Sequence, residues 1–340
     1  MEAEKHMKVV VIGSGRLGRT LHRKLKDVPG FVSILIGKDN FDELDYNLDY
    51  SVDILNWRGI RDIVQYEKPF AVVNCAALTD VEKTETDLDY KRKAFDVNVD
   101  AALKIGEISR DNGAFNVFIS TDYVWSENSR KHEDGSPSDP CPINIYGRNK
   151  LEAEEFLESI FRNSPCMNLN VRCSWMYDFQ GKAKKCDFPA KILEVANNGR
   201  SANGPHPKLP VDTLGYPVRY EDVARGIVRE LLEKSDGQFD HYGTVVAFGY
   251  RPKGISRYEF GQTVVDCYNE AYLKKKGTPS PLEGWTFEKG TQADTGRVAK
   301  HPKKIDFGNM RNICDFNGRK DVELYIEKNF YSLKFGLERK

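Results

Sequence analysis

The chain has 340 residues, 40% hydrophobic and 30% charged, which is enough to bury a large core and build two subdomains. Its 51 basic and 51 acidic residues balance to zero, so charge offers no ground for nucleic acid or an acidic membrane surface as the main partner. No apolar run approaches the ~20 residues needed to span a bilayer, and an odd count of seven cysteines without a C-x-x-C pair, behind an N-terminus lacking a signal-type apolar segment, points to buried thiols in a reducing, cytoplasmic setting.

Residues 8–12 (KVVVI) form a buried-strand pattern that runs directly into Gly13, Ser14, Gly15, Arg16, Leu17 and Gly18, and a helix-like stretch follows. Strand, glycine turn and helix in that order make a phosphate cradle. Small residues let the backbone approach a pyrophosphate, and the helix N-terminus supplies N–H donors and positive dipole. A second strand is predicted over 31–36. Where NAD-specific proteins place an acidic residue against the ribose diol, this chain has Gly37 and Lys38 before Asp39. Arg16 and Lys38 are therefore the candidates to face a 2′-phosphate, which favours NADPH; Asp39 would reach the ribose if the strand ran further, which leaves NADH open.

Residues 51–54 (SVDI), a helical stretch over 60–66 and a strand over 69–77 ending in Cys75, Ala76 and Ala77 continue the alternation. Residues 101–109 carry helical apolar spacing. Residues 116–121 read as a strand whose polar end, Ser120 and Thr121, points toward the ligand crevice of an open parallel sheet. The predicted fold class is α/β, a Rossmann-type doubly wound parallel sheet. Residues 126–142, rich in Pro, Gly and Asp, read as a surface loop, Tyr146 opens a helix through 157, and 168–173 is a further strand.

Beyond Trp175 the order changes. Residues 179–185 are basic and loop-like, 189–196 helical, 199–215 crowded with Gly and Pro, 222–232 an amphipathic helix, 244–248 a short strand and 257–272 another helix. This predicts a Rossmann domain over 1–175, to which 216–250 returns, and a smaller substrate-binding domain made of 176–215 and 251–340. The six histidines are scattered without an H-E-x-x-H cluster, so no metal site is expected.

Tyr146 and Lys150 stand four apart and project from one helix face. A cation beside a phenol brings its pKa down from ~10, which suits the pair for exchanging a proton with a carbonyl or alcohol. Spacing alone is weak evidence, since Tyr272 and Lys276 share it in a run that reads as a solvated helix end before Gly277.

The motifs Gly13 to Gly18, Asn74-Cys75-Ala76-Ala77, Ser120-Thr121-Asp122-Tyr123-Val124-Trp125 and Tyr146-Gly147-Arg148-Asn149-Lys150 fall in the order of the extended short-chain dehydrogenase/reductases. With Arg172-Cys173-Ser174-Trp175-Met176-Tyr177 and Ser256-Arg257-Tyr258-Glu259-Phe260, the chain most resembles the dTDP-4-dehydrorhamnose reductases, over most of its length to about residue 260. That resemblance implies Tyr146 as proton donor, Lys150 as the residue that lowers its pKa and holds the nicotinamide ribose, and Thr121 as the hydroxyl on the substrate oxygen. It also implies Asp122, Tyr123 and Trp175 around the sugar, Asp53 and Ile54 near the adenine, and Asn98 in a proton relay. The substrate implied is a nucleotide-linked 4-keto-6-deoxyhexose reduced at C4 by NADPH; the basic and aromatic stretch 182–208, by its position in the predicted substrate domain, is expected to supply diphosphate and base contacts.

Two departures qualify the match. The glycine loop is one residue shorter than the usual G-x-x-G-x-x-G, and Asp122-Tyr123 replaces both the Asp-Glu pair of the dehydratases and the Cys of the GDP-fucose synthase type, which argues against dehydration and epimerisation. A non-catalytic, cofactor-sensing subunit is the alternative, because the regulatory subunit of methionine adenosyltransferase resembles the same family; another keto-sugar reductase is a third. A homo-oligomer, or a partner enzyme under the regulatory alternative, is compatible with all three.

Overall fold

The computed structural model describes residues 6–38, 47–132, 137–178, 187–201, 206–237, 243–249, 254–301, 310–314 and 318–330. The valine-rich run Met7–Ile12 forms β1 and passes through the glycine loop into helix α1 (Arg16–Lys26). Strands β2 (Phe31–Gly37), β3 (Tyr50–Ser51), β4 (Ala71–Asn74), β5 (Phe115–Thr121) and β6 (Asn168–Cys173) follow. Four short strands come next: β7 (Met176–Tyr177), β8 (Lys208–Pro210), β9 (Leu214–Gly215) and β10 (Val218–Arg219). After them comes β11 (Gly243–Ala247). The main sheet has seven strands in the order β11-β6-β5-β4-β1-β2-β3, and every pairing in it is parallel.

Parallel strands need crossovers, and helices supply them on both faces. These are α2 (Trp57–Glu67), α3 (Val81–Thr86), α4 (Leu88–Phe95), α5 (Ala101–Asp111), α6 (Ile145–Phe161) and, before β11, α7 (Phe188–Ser201) and α8 (Tyr220–Ser235). The period-2 alternation of β1 divides its side chains. Val9 and Val11 join Leu21 of α1 and Ile227 and Leu231 of α8 on one face, whereas Val10 and Ile12 join Ile60, Val64 and Ile105 on the other. The expected doubly wound α/β sheet is present.

A second cluster of buried residues joins α7 (Ile192, Leu193) to α9 (Arg257–Lys276; Phe260, Val264, Tyr268) and to α10 (Arg319–Asn329; Val322, Ile326). Short ladders tie it together: β7 with β10, β9 with β12 (Ile255–Ser256) and β8 with β13 (Glu288–Gly290). Residues 310–314 lie against the main sheet, where Asn312 bridges Val246 and Ile313 and Cys314 enter its core.

Several boundaries shift for local reasons. The stretch 51–54 yields only Tyr50–Ser51 as strand, because the Asp53 carboxylate accepts the Leu55 N–H and turns the chain toward the Asn56 cap of α2. Helices α3 and α4 went unforeseen; each is short and starts at an aspartate cap, Asp80 and Asp87. The loop after β5 is anchored, with Ser126 buried and its hydroxyl bonded to the Cys141 carbonyl at 2.7 Å. Gly277 closes α9 at φ +71° directly after Lys274–Lys276, as the sequence suggested. Of the cysteines, Cys173, Cys267 and Cys314 are buried free thiols, Cys75, Cys141 and Cys166 are half-buried, and Cys186 lies outside the described residues together with 179–185. Among the described residues no helix is long and apolar enough to cross a membrane.

Candidate active site

The loop after β1 is built for close approach. Gly13 holds φ +108°, and a Cβ there would stand 2.7 Å from the Ala76 amide nitrogen; one on Gly18 would stand 1.9 Å from the Gly13 carbonyl oxygen. Both positions admit only glycine. Gly15 differs: it is the N-cap of α1, no side chain caps that helix, and a Cβ on it would meet nothing within 4 Å. The loop is thus closed against Cys75 and Ala76 on its inner side and open at the helix N-terminus. Ser14 and Leu17 are buried beneath it.

The two cations expected near a ribose phosphate are both held by carboxylates. Lys38 lies 2.7 Å from Asp53, whose carboxyl is held below its ordinary range by that contact first and by the Leu55 N–H next. Arg16 pairs with the buried carboxylate of Asp187, just before α7, which ties the loop to the second core. Ile54 packs on the sheet core, and Asp39 lies outside the described residues.

Helix α6 delivers Tyr146 and Lys150. Asn144 caps it, accepting the Gly147 N–H at 2.7 Å, and Glu85 accepts the Ile145 N–H. Tyr146 lies beside Thr121, the last residue of β5. Burial raises the Tyr146 pKa, helped by Cys173, Asp122 and Tyr123, while the neighbouring Thr121 hydroxyl opposes it.

Lys150, only 1% exposed, donates from Nζ to the Ile119 carbonyl at 2.7 Å and lies 4.4 Å from the Phe118 ring centroid. Burial pushes its ammonium down to about 8, against the carboxylate of Glu154 one turn on. Lys150 faces strand β5, and desolvation dominates both groups.

Asp122, Tyr123 and Trp175 meet beside this pair. Asp122 is buried, which lifts its carboxyl to about 6 despite hydrogen bonds from Ser174 and Thr121. The Tyr123 ring stands edge-on to Tyr146 at 6.2 Å and 84°. Its hydroxyl lies 2.5 Å from His301 Nδ1, with Trp175 and the Arg257 guanidinium close by. The Trp175 ring packs on Gly215, where a Cβ would come within 2.5 Å of it, and the Arg257 guanidinium lies 4.4 Å from the ring centroid. Asn98, on a π-turn over Asp96–Asp100, uses its amide on the Leu78 N–H and carbonyl, both at 2.9 Å. Its amide thus anchors the chain after β4.

Three buried polar atoms at the carboxyl ends of β4 and β5 and on α6 have no partner: Asn74 Nδ2, Ser120 Oγ and Asn149 Nδ2. An unsatisfied buried polar atom is costly, and one aligned on a crevice is a place where a ligand bonds.

Residues 7–290 match the model of the RmlD substrate binding domain. The chain belongs to this family. It is 27% identical to a dTDP-4-dehydrorhamnose reductase of Aggregatibacter actinomycetemcomitans over 87% of this chain and 88% of that protein. It is 25% identical to methionine adenosyltransferase 2 subunit beta of Pongo abelii over 86% of this chain and 81% of that protein. Among solved structures, the dTDP-4-dehydrorhamnose reductase of Bacillus anthracis in complex with NADP superposes with a TM-score of 0.67 at 21% identity, covering 95% of this chain and 98% of that one. That likeness establishes the extended short-chain dehydrogenase/reductase fold.

The structure sets Cys75 and Ala76 against the glycine loop, and Thr121, Asp122, Tyr123 and Trp175 near Tyr146, with Lys150 one turn along α6. Four contributors escaped sequence reasoning. Asn144 was legible in principle, as an Asn three residues before Gly147 at a helix start. Arg257 was visible only as part of a motif, with no cue to its stacking on Trp175. Glu82 and His301 carry no local signal, because what brings them together is the path of residues 291–301 across α3.

Proposed function

We propose that the chain is an NADPH-dependent reductase of the C4 ketone of a nucleotide-diphospho-4-keto-6-deoxyhexose, of the dTDP- or UDP-linked type, forming a rhamnose-type sugar nucleotide. The observation that carries this reading is the placement of the Tyr146 phenol beside Thr121 at the carboxyl end of β5, with Lys150 one turn further along α6. A ketone oxygen placed between these hydroxyls gains one hydrogen-bond donor and one acid. A raised pKa keeps Tyr146 protonated at neutral pH, which suits it to give its proton to the developing alkoxide.

The residues present fit a dinucleotide. Gly15 leaves room at the uncapped N-terminus of α1, and Asn74 and Ser120 offer unpartnered polar atoms along the strand ends. When bound there, NADPH supplies the hydride. Gly13 to Gly18 would hold the pyrophosphate, Lys38, Asp53 and Ile54 the adenosine end, and Cys75, Ala76, Ala77 and Asn98 the wall beside the nicotinamide. In the sugar pocket, Tyr123 and Trp175 supply faces for a pyranose, and Asp122 together with Arg257 supplies hydrogen bonds. We assign the sheet with residues 216–249 to cofactor binding and the α7–α9–α10 core to the nucleotide part of the substrate.

A panel of keto-sugar nucleotides mixed with NADPH and the purified chain tests the assignment by loss of NADPH absorbance. Turnover of a 4-keto-6-deoxy sugar nucleotide is the expected result, and none across dTDP, UDP and GDP substrates would sink it. The similarity to methionine adenosyltransferase 2 subunit beta supports a second reading, a regulatory subunit. Recovery of a stoichiometric synthetase from native extract, with no redox turnover, would favour that reading.

A further inference from the structure

Residues 291–301 form a strap that begins where the match to the family model ends, at residue 290. Glu82 of α3 accepts the Val298 and Ala299 N–H groups at 2.9 and 3.0 Å, and Asn144 donates to the Lys300 carbonyl at 2.9 Å. Gln292 closes the strap on itself, donating to the Ala299 carbonyl and accepting the His301 N–H. The anchors belong to the elements that build the site: Asn144 is the cap of the helix bearing Tyr146. The strap ends with His301 Nδ1 against the Tyr123 hydroxyl, the two rings 5.3 Å apart and nearly perpendicular.

The direction of that hydrogen bond follows from its neighbours. The Trp175 indole and the Arg257 guanidinium, which lie near Tyr123, can only donate, so neither competes with His301 as an acceptor for the phenol proton. The phenol therefore directs its proton to His301, so Nδ1 accepts and Nε2 carries the proton of the neutral ring. Burial and the nearby Arg257 and Arg297 keep His301 neutral, its pKa pushed down to about 4. A phenol held by His301 cannot swing away without breaking that bond, and its ring stands edge-on to Tyr146.

We propose that His301 is a positioning residue of the carbonyl-reduction site, fixing Tyr123 and through it the sugar beside Tyr146. This rests on the reductase reading. The test compares wild type, His301→Leu and His301→Asn, whose amide oxygen can accept where Nδ1 does, with NADPH and dTDP-4-dehydrorhamnose. His301→Leu should raise KM for the sugar nucleotide about tenfold and leave the NADPH Kd unchanged, while His301→Asn regains most of the loss. In full-length protein labelled with [15N]histidine, the His301 Nδ1 resonance should shift on Tyr123→Phe. Wild-type kinetics in His301→Leu, equal loss in both variants at wild-type Tm, or an unmoved Nδ1 resonance each overturn the proposal while leaving the reductase reading intact. No turnover by wild type overturns that reading and this inference with it.

Discussion

A methyl group on Gly147 would stand 2.2 Å from the Tyr123 carbonyl oxygen, closer than any side chain can approach a backbone atom. Within a helix, Gly→Ala ordinarily gains about 1 kcal/mol, but here the obstacle is backbone and cannot rotate away. Gly147→Ala is therefore expected to lose about 1–3 kcal/mol in denaturant unfolding; a variant as stable as wild type would show that α6 is not seated on Tyr123. Asp122 carries a different cost. The native state takes up its proton near pH 6 and the unfolded state near 3.8, so the native form binds more protons between them and stability falls as pH rises through that window. Asp122→Asn removes this titration, and its stability relative to wild type should be higher at about pH 7 than at about pH 4. An equal difference at both would mean that Asp122 ionises freely.

At the scale of the element, α6 presents Tyr146, Lys150 and Glu154 at four-residue intervals on one face. Glu154 also forms a buried fork with Arg172, its contacts 3.0 and 3.1 Å to Nε, and raises the Lys150 pKa against the burial that depresses it. Glu154→Gln should lower that pKa further, so that Lys150 loses its proton at lower pH. The alkaline limb of the reductase pH–rate profile is then expected to move to lower pH, and an unmoved limb would separate Lys150 from the titration. The spacing of Tyr146 and Lys150 was legible in the sequence because a helix face is set by its period. The direction of the Lys150 Nζ was not, since the Ile119 carbonyl it meets comes from a strand packed beneath the helix. The sheet strands were legible from their β-branched runs, whereas α3 and α4 were not, because short capped helices carry little periodic signal.

At the scale of the molecule, the crevice lies where a doubly wound sheet meets a second core, and the elements that close it are far apart in sequence. Arg16 in the glycine loop reaches Asp187 before α7, Trp175 rests on Gly215 under Arg257, and the strap from residue 291 returns to α3. Motif order singled out Tyr146, Thr121 and Lys150, which the fold sets near one another; these long-range closures depend on chain paths that no local pattern encodes. The account rests on Tyr146 acting as the acid for a sugar ketone in this setting. The most direct measurement is the steady-state rate of NADPH oxidation by wild type and Tyr146→Phe with a 4-keto-6-deoxy sugar nucleotide, with NADPH Kd measured alongside. The expected result is a loss in kcat of about 10²-fold or more with the NADPH Kd unchanged; an undiminished rate in Tyr146→Phe would contradict it.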